Sequence, residues 1–389
     1  MRLPLPLLAA TLVALPALAA CTQNAASETT GSSGDGTVTV SSTDDACRLS
    51  STEAPSGRLT FEVTNDGSQV TEFYLLDQDG KRIVGEVENI GPQLTRQLVV
   101  QAAPGTYTTA CKPGMKGDGI RADFTVTDSG TKVETSADEQ AMVEEAQEDY
   151  RAWVQQQSDL LVQRTRAFVE AYEAGDDRTA KALYPRARTP WERIETVAES
   201  FGDLDPRMDA REVDLEPGQE WTGWHRLEKD LWPARAEKYA SLTQQQRKQY
   251  AEGLLANTVD LDKRIGGLTF TVDQIANGSR GLLEEVAKSK VSGEEEYWSR
   301  TDLYDFQANV DGARKALDVL TPLLRARDPQ LLTTLQHRFD ALQQLLDAQR
   351  SGDGFRSYDQ LSQQQVHRLA DAVNAVAEPL SRLTAAVIS

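Results

Sequence analysis

The chain has 389 residues, enough for two or three domains that each bury a core. With 39% hydrophobic and 26% charged residues its composition is globular, and a net charge of −19 with no Lys/Arg cluster excludes a nucleic-acid partner. Three histidines and three cysteines exclude zinc-finger arrays, multihaem proteins and disulfide-dense scaffolds.

Met1-Arg2 precedes an apolar run from Leu3 to Ala20, broken by Pro4, Pro6 and Pro16. The run is too short and too proline-rich to span a bilayer, and small residues lead up to Cys21. Leu18-Ala19-Ala20-Cys21 resembles a lipobox. Residues 1–20 therefore read as an export signal and Cys21 as the lipidated residue, against the plainer alternative of a secretory signal with an incidental cysteine. Both readings export the protein. No later stretch reaches ~18 uninterrupted apolar residues, so the mature chain is expected in the periplasm or lipid-anchored at the outer face of the cell membrane. Residues 21–36 are Ser/Thr/Gly-rich and read as a flexible tether.

From residue 37 to 134 the pattern has period two. Thr37–Ser41, Leu59–Thr64, Glu72–Leu76, Arg82–Val87, Thr95–Val100, Thr106–Cys111 and Arg121–Thr127 read as strands. Asn65-Asp66-Gly67, Asp79-Gly80 and Pro104-Gly105 supply the turns between them. Seven strands in under 100 residues predict a small β-sandwich.

From residue 135 to 389 the period changes to that of a helix. Met142, Ala146, Tyr150, Trp153, Leu160 and Phe168 share one stripe, as do Leu332, Leu335, Phe339, Leu342 and Leu346. Breakers at Gly175-Asp176, Gly202–Pro206, Pro217-Gly218, Gly266-Gly267, Gly293 and Ser351–Gly354 divide this all-α bundle into seven or eight helices.

Within it, residues 220–232 (EWTGWHRLEKDLW) carry the most informative pattern. At about 100° per residue, Trp221, Trp224, Leu227, Leu231 and Trp232 fall on one arc, with Glu228 inside it and His225 at its edge. Arg226, Lys229 and Asp230 point elsewhere. A carboxylate among tryptophans must be paired, protonated or metal-bound. His225 and Glu228, three apart, can converge on one ion or simply share a hydrogen bond within a core helix. A zincin would need a second histidine four residues on, but position 229 is Lys. One imidazole with carboxylates suits iron or manganese better than catalytic zinc, so proteolysis is not expected. His337 and His367 lie beside the apolar stripes and read as surface residues.

The same segment closely resembles the signature of the imelysin-like domain. Trp191-Glu192-Arg193-Ile194-Glu195, Phe201–Pro206, Asp209-Ala210-Arg211-Glu212, Gly281–Ala287, Gly293-Glu294-Glu295 and Thr301–Asn309 resemble further segments of that family. The resemblance implies an all-helical bundle with a metal site on His225 and Glu228. It names Asp209 and Glu285 first as completing residues, then Glu195 and Glu295.

In the β-region, Ala103–Cys111 followed by Lys112-Pro113-Gly114-Met115 resembles the last-strand loop of a cupredoxin. No histidine precedes His225, so the His₂Cys plane of a blue-copper centre cannot form. The residues leave two readings of Cys47 and Cys111 open: a disulfide, or a metal or redox site with Glu72 and Met115.

A signal, a cupredoxin-like domain and an imelysin-like domain in this order resemble the EfeO-type iron-uptake proteins. That resemblance implies a Cys…Glu…Cys set, matched by Cys47, Glu72 and Cys111, with Glu88 as an auxiliary ligand, and favours the metal or redox reading. It implies iron as cargo, ferrous or ferric, with copper as a further candidate in the β-domain. The partners it implies are a membrane iron permease and an exported haem-dependent peroxidase. The expected function is iron capture and hand-over in an EfeUOB-like system, without enzymatic turnover. A polysaccharide- or peptide-binding surface lipoprotein, with Trp221, Trp224 and Trp232 lining a groove, is the rival reading, and a metallopeptidase is the third.

Overall fold

Leu59, Phe61 and Val63 alternate with Thr60, Glu62 and Thr64 along β4 (Gly57–Asn65), and the first three are fully buried. The same alternation runs along β1 (Thr37–Ser42), β9 (Ile120–Thr127) and part of β6 (Ile83–Ile90), whereas β5 (Thr71–Leu76), β7 (Thr95–Ala102) and β8 (Gly105–Cys111) each carry three consecutive buried residues. All seven expected strands are present in the computed structural model, which describes residues 36–130, 136–215 and 217–388. The expected export signal, Cys21 and the expected tether up to residue 35 lie outside the described residues. Two further strands, β2 (Cys47–Leu49) and β3 (Glu53–Pro55), escape a period-two reading because three residues carry too little alternation. The strands form two sheets, ordered β2-β1-β4-β7 and β3-β9-β8-β5-β6. Between them Phe61 packs on Phe73 and Phe124, with ring centroids 5.1 and 5.3 Å apart. This is the cupredoxin-like sandwich.

Cys47 opens β2 in one sheet and Cys111 closes β8 in the other. A disulfide joins them with Cα atoms 5.5 Å apart, tying the sheets together at one end.

The helical domain has eleven α-helices among the described residues. They are α1 (Ala137–Glu173), α2 (Asp177–Arg193), α3 (Glu195–Glu199), α4 (Asp205–Met208), α5 (Trp224–Leu231), α6 (Gln244–Ile265), α7 (Val272–Glu285), α8 (Asp302–Arg327), α9 (Pro329–Asp347), α10 (Gln363–Leu380) and α11 (Leu383–Val387). Three of them, α3, α4 and α11, are single turns that no periodicity announces. The α9 stripe is buried as expected. On α1 the stripe is shifted: Val154 and Leu161 are buried, whereas Trp153 and Leu160 are only half-buried. Neighbouring apolar residues left the phase of that stripe ambiguous, and packing against α2 and α6 set it. No described helix is long and apolar enough to cross a membrane.

Helix α7 lies across the edge of the sandwich and is bonded to it by polar groups. Asp273 accepts from the Gln101 amide at 2.8 Å and Asn277 donates to the Val99 carbonyl at 2.9 Å. Arg280 donates to the carbonyls of Gln97 and Glu86, and Arg96 pairs with Glu284 at 2.7 Å. The described residues from 36 to 388 accordingly form one unit. Between sandwich and bundle lies a cleft of about 880 Å³.

Candidate metal centre

Helix α5 begins at Trp224 because Gly223 adopts φ +86°, a left-handed conformation favoured by glycine. A Cβ at residue 223 would also overlap the Met208 carbonyl. This close approach sets the first turn of α5, with His225, against the residue that follows α4, Asp209. Trp221 therefore precedes the helix rather than continuing its arc, and is half-buried. Asp230, expected to point away, is buried: it accepts hydrogen bonds from Tyr172 at 2.7 Å and Tyr239 at 3.0 Å. The short α5 is enclosed on nearly every side, so its polar residues as well as its apolar ones turn inward.

His225 is fully buried. Its Nδ1 lies 3.2 Å from Glu228 Oε2. Its Nε2, with no hydrogen-bond partner, lies 3.4 Å from both Asp209 Oδ1 and Glu295 Oε1. Donor atoms 3.0–3.4 Å apart match the edges of a polyhedron with metal–ligand bonds of ~2.1 Å. Glu228 occupies the other side of the ring. Its Oε1 accepts the backbone amides of Trp298 and Ser299 at 2.9 and 2.6 Å, which turns Oε2 onto Nδ1. In this arrangement the glutamate of the His-x-x-Glu pair orients the imidazole, while Nε2, Asp209 and Glu295 face one another.

Electrostatics separates these carboxylates from their neighbours. Burial works to raise the acid pKa of Asp209, but Arg188 and His225 outweigh it and hold the group below the usual carboxylate range. Glu295 is held well below that range against the same burial penalty, by Lys290, His225 and Arg211. Both are anions poised for a cation. For His225, burial and Arg188 favour the neutral ring, yet Glu228, Glu295 and Asp209 push its pKa well above 6.5. Taking up a cation at Nε2 must therefore displace a proton.

Arg188 on α2 is fully buried and knits the site together. It pairs with Glu192 and Asp209, reaches Glu296 at 2.8 Å, and lies within 3.8 Å of Glu295 and 3.7 Å of Asp305. Trp191 Nε1 donates to the second oxygen of Asp209 at 2.8 Å. A buried arginine leaves no mark in the periodicity, so Arg188 and Glu296 fall in no segment named above, and Asp305 falls in one, Thr301–Asn309, without being singled out. Glu192 lay inside a quoted segment without being singled out.

The remaining expected ligands divide into other groups. Glu195 is bound by Lys290 at 2.8 Å and by Asn309 at 2.8 Å. Glu285, expected beside His225, lies instead with Glu195 and Glu199, one oxygen of each within 4.8 Å of the others. The register of α7 turns it toward the cleft. Burial raises Glu195 and Glu199 well above the usual range, helped by repulsion from Glu192 on Glu195 and from Glu195 on Glu199. The cleft also receives Glu72, Glu86, Glu88 and Met115 from the sandwich. Glu86 is pushed to about 8 and Glu88 well upward, chiefly by burial. Glu72 is buried and accepts from Tyr74 at 2.6 Å. Cys111 pairs with Phe73 on the neighbouring strand and lies in the sandwich core, bonded to Cys47, so the expected Cys47–Glu72–Cys111 set is not assembled. Trp224 is fully buried against Phe168 and Tyr184, so it lines no groove for a sugar. His337 and His367 are exposed.

Two family models match this architecture: imelysin over residues 146–383 and the cupredoxin-like domain over residues 9–126. The chain is 37% identical over 350 residues to the iron uptake system component EfeO of Yersinia pestis, covering 89% of this chain and 90% of that protein. It is equally 37% identical over 349 residues to the iron uptake system component EfeO of Escherichia coli K12, with the same coverage of each chain. The chain belongs to the EfeO family of imelysin proteins.

Proposed function

We propose that this protein is the exported iron-binding component of an iron-uptake system, capturing iron between His225 Nε2, Asp209 and Glu295. The observation that carries this reading is a fully buried imidazole nitrogen without a hydrogen-bond partner, 3.4 Å from two carboxylates held ionised. Both carboxylates pair with the ring while it is protonated, and a bound cation takes the place of that proton. The ligand set is hard and rich in oxygen, which suits iron in either oxidation state. Glu228 acts as the positioning residue, fixing Nδ1–H so that Nε2 presents its lone pair.

Asp209 and Glu295 line the cleft, which continues past Glu195, Glu199 and Glu285 to Glu88, Glu86 and Glu72 of the sandwich. Captured iron leaves along this carboxylate-lined route toward Glu72, Glu88 and Met115 of the β-domain, where copper is the second candidate; Cys47 and Cys111, bonded to each other, offer no thiolate there. The expected recipient is a membrane iron permease, with an exported haem-dependent peroxidase as co-partner and Cys21 as the lipid anchor. The 37% identity to iron uptake system components supports the assignment. A metallopeptidase is not favoured: position 229, where a zincin places its second histidine, is a lysine that pairs with Glu212.

The test is anaerobic and aerobic iron titration of the full chain by calorimetry and elemental analysis. Wild type is expected to bind iron and His225→Ala to lose it. Unchanged stoichiometry and affinity in His225→Ala would overturn the reading.

A further inference from the structure

Helix α7 ends at Glu285 and runs without a break into one π-helical turn, Val286–Lys290. Such a turn offsets the side chains that follow it and recurs at functional sites. Here it brings Lys290 fully inside the bundle. The ammonium lies 2.8 and 2.9 Å from the two oxygens of Glu195 and 3.2 Å from Glu192. Asn309, also fully buried, donates to both glutamates and leaves its own Oδ1 without a partner.

Glu192, Glu195 and Asp209 each offer one oxygen within 4.8 Å of the others, the dimensions of a cation site. Asp209 therefore belongs to two overlapping ligand sets, one with His225 and Glu295 and the other with Glu192 and Glu195. We propose that Lys290 is a tethered cation that decides between them. Its ammonium fills the Glu192–Glu195 set, so Asp209 serves His225 and the bundle holds one cargo ion instead of two. The assignment of Asp209 to His225 rests on the function proposed above; the occupation of Glu192 and Glu195 by Lys290 does not.

The chemistry is that of a hard divalent cation replaced by an ammonium. Both are satisfied by carboxylate oxygens. The ammonium, however, is covalently held and cannot leave, so the site it fills is closed to exchange. Lysine supplies a compact point charge of this kind, where the planar fork of arginine would demand different geometry. Replacing Lys290 by methionine keeps most of the side-chain volume and removes the charge. The oxygens of Glu192 and Glu195 that held the ammonium are then open to an external cation, with Asp209 beside them, while Arg188 keeps its pairs with Glu192 and Asp209.

The test counts Mn²⁺ bound to the full chain by the electron paramagnetic resonance of the free ion. Wild type is expected to bind one Mn²⁺ and Lys290→Met two. Lys290→Met/His225→Ala should bind one, and Lys290→Met/Glu195→Gln, with charge removed from both sides, should return to one. A folded Lys290→Met that binds the same number as wild type would overturn the proposal. If Lys290→Met folds only when Mn²⁺ is added, followed by circular dichroism, the ion has replaced the ammonium and the proposal stands. If it stays unfolded at saturating Mn²⁺, the proposal fails. Wild type binding none while Lys290→Met binds one would remove the His225 reading and leave the role of Lys290 intact.

Discussion

Replacing Glu228 by glutamine tests the polarity of the His225 ring with almost no change in shape. One end of the side chain must still accept the amides of Trp298 and Ser299, 2.9 and 2.6 Å away. Only the glutamine oxygen can do this, so its NH₂ faces Nδ1, 3.2 Å away in the parent. An amide donor there forces Nδ1 to accept, and the neutral ring then carries its proton on Nε2. That proton stands where the cation should bind. Loss of a partner that orients a metal-binding histidine typically weakens the metal 10–100-fold, or about 1.4–2.7 kcal/mol. The cost to the fold is of similar size. Hydrogen bonds to a charged group contribute ~1.5–3 kcal/mol and neutral ones ~0.5–1.5, so two exchanges cost about 2 kcal/mol. Glu228→Ala orphans both amides and costs roughly 2–6 kcal/mol at ~1–3 each. Calorimetric titration with Mn²⁺, alongside thermal melting with and without it, separates the two effects. Glu228→Gln should melt several degrees below wild type, as about 2 kcal/mol implies, and bind 10–100-fold more weakly, whereas Glu228→Ala should lose binding and up to roughly 6 kcal/mol of stability. Wild-type affinity in Glu228→Gln would refute the assignment of Nε2 as the ligand atom.

Ion-free protein should become less stable as pH rises from 5 to 8. Glu86 is raised to about 8, and Asp205, Glu296 and Asp302 to about 7, so their protons are held more tightly folded than unfolded. That stability is complete below the unfolded values near 4 and disappears as pH climbs through 7–8; the raised pKa of His225 acts in the same direction. Melting temperatures in chelator at pH 5.5 and 8 should show the fall, and a rising or flat profile would contradict it. Uptake of a cation at Nε2 should release about one proton, read from calorimetry in buffers of differing ionisation enthalpy. Gly223→Ala should destabilise by several kcal/mol, since both φ and the Met208 carbonyl reject a Cβ; denaturant unfolding checks this. Replacing Cys47 and Cys111 by serine frees a span with sequence separation 64. The loss should be about 4 kcal/mol of stability, with Mn²⁺ affinity at the helical site unaltered.

Much of this protein is legible along the chain. Period-two alternation from Thr37 and helical period from residue 137 onward mark the two domains, because each element must turn one face to a core. His225 stood out because an imidazole and a carboxylate within an apolar arc need a reason to be there. The disposition around the ring was not legible. Glu228 turns Oε2 onto Nδ1 because the Trp298 and Ser299 amides, seventy residues away, claim its other oxygen. Glu285 faces the cleft because of the register of α7, and Asp230 turns inward because α5 is enclosed. Arg188 and Lys290 are invisible to any pattern, since a buried cation is tolerated only where several carboxylates from distant segments meet it. Local periodicity therefore determined the elements, the two-domain order and the histidine. Which carboxylates stay ionised, which oxygen faces which nitrogen, and where an ammonium takes the place of an ion depended on long-range contacts, which exist only once the helices have packed.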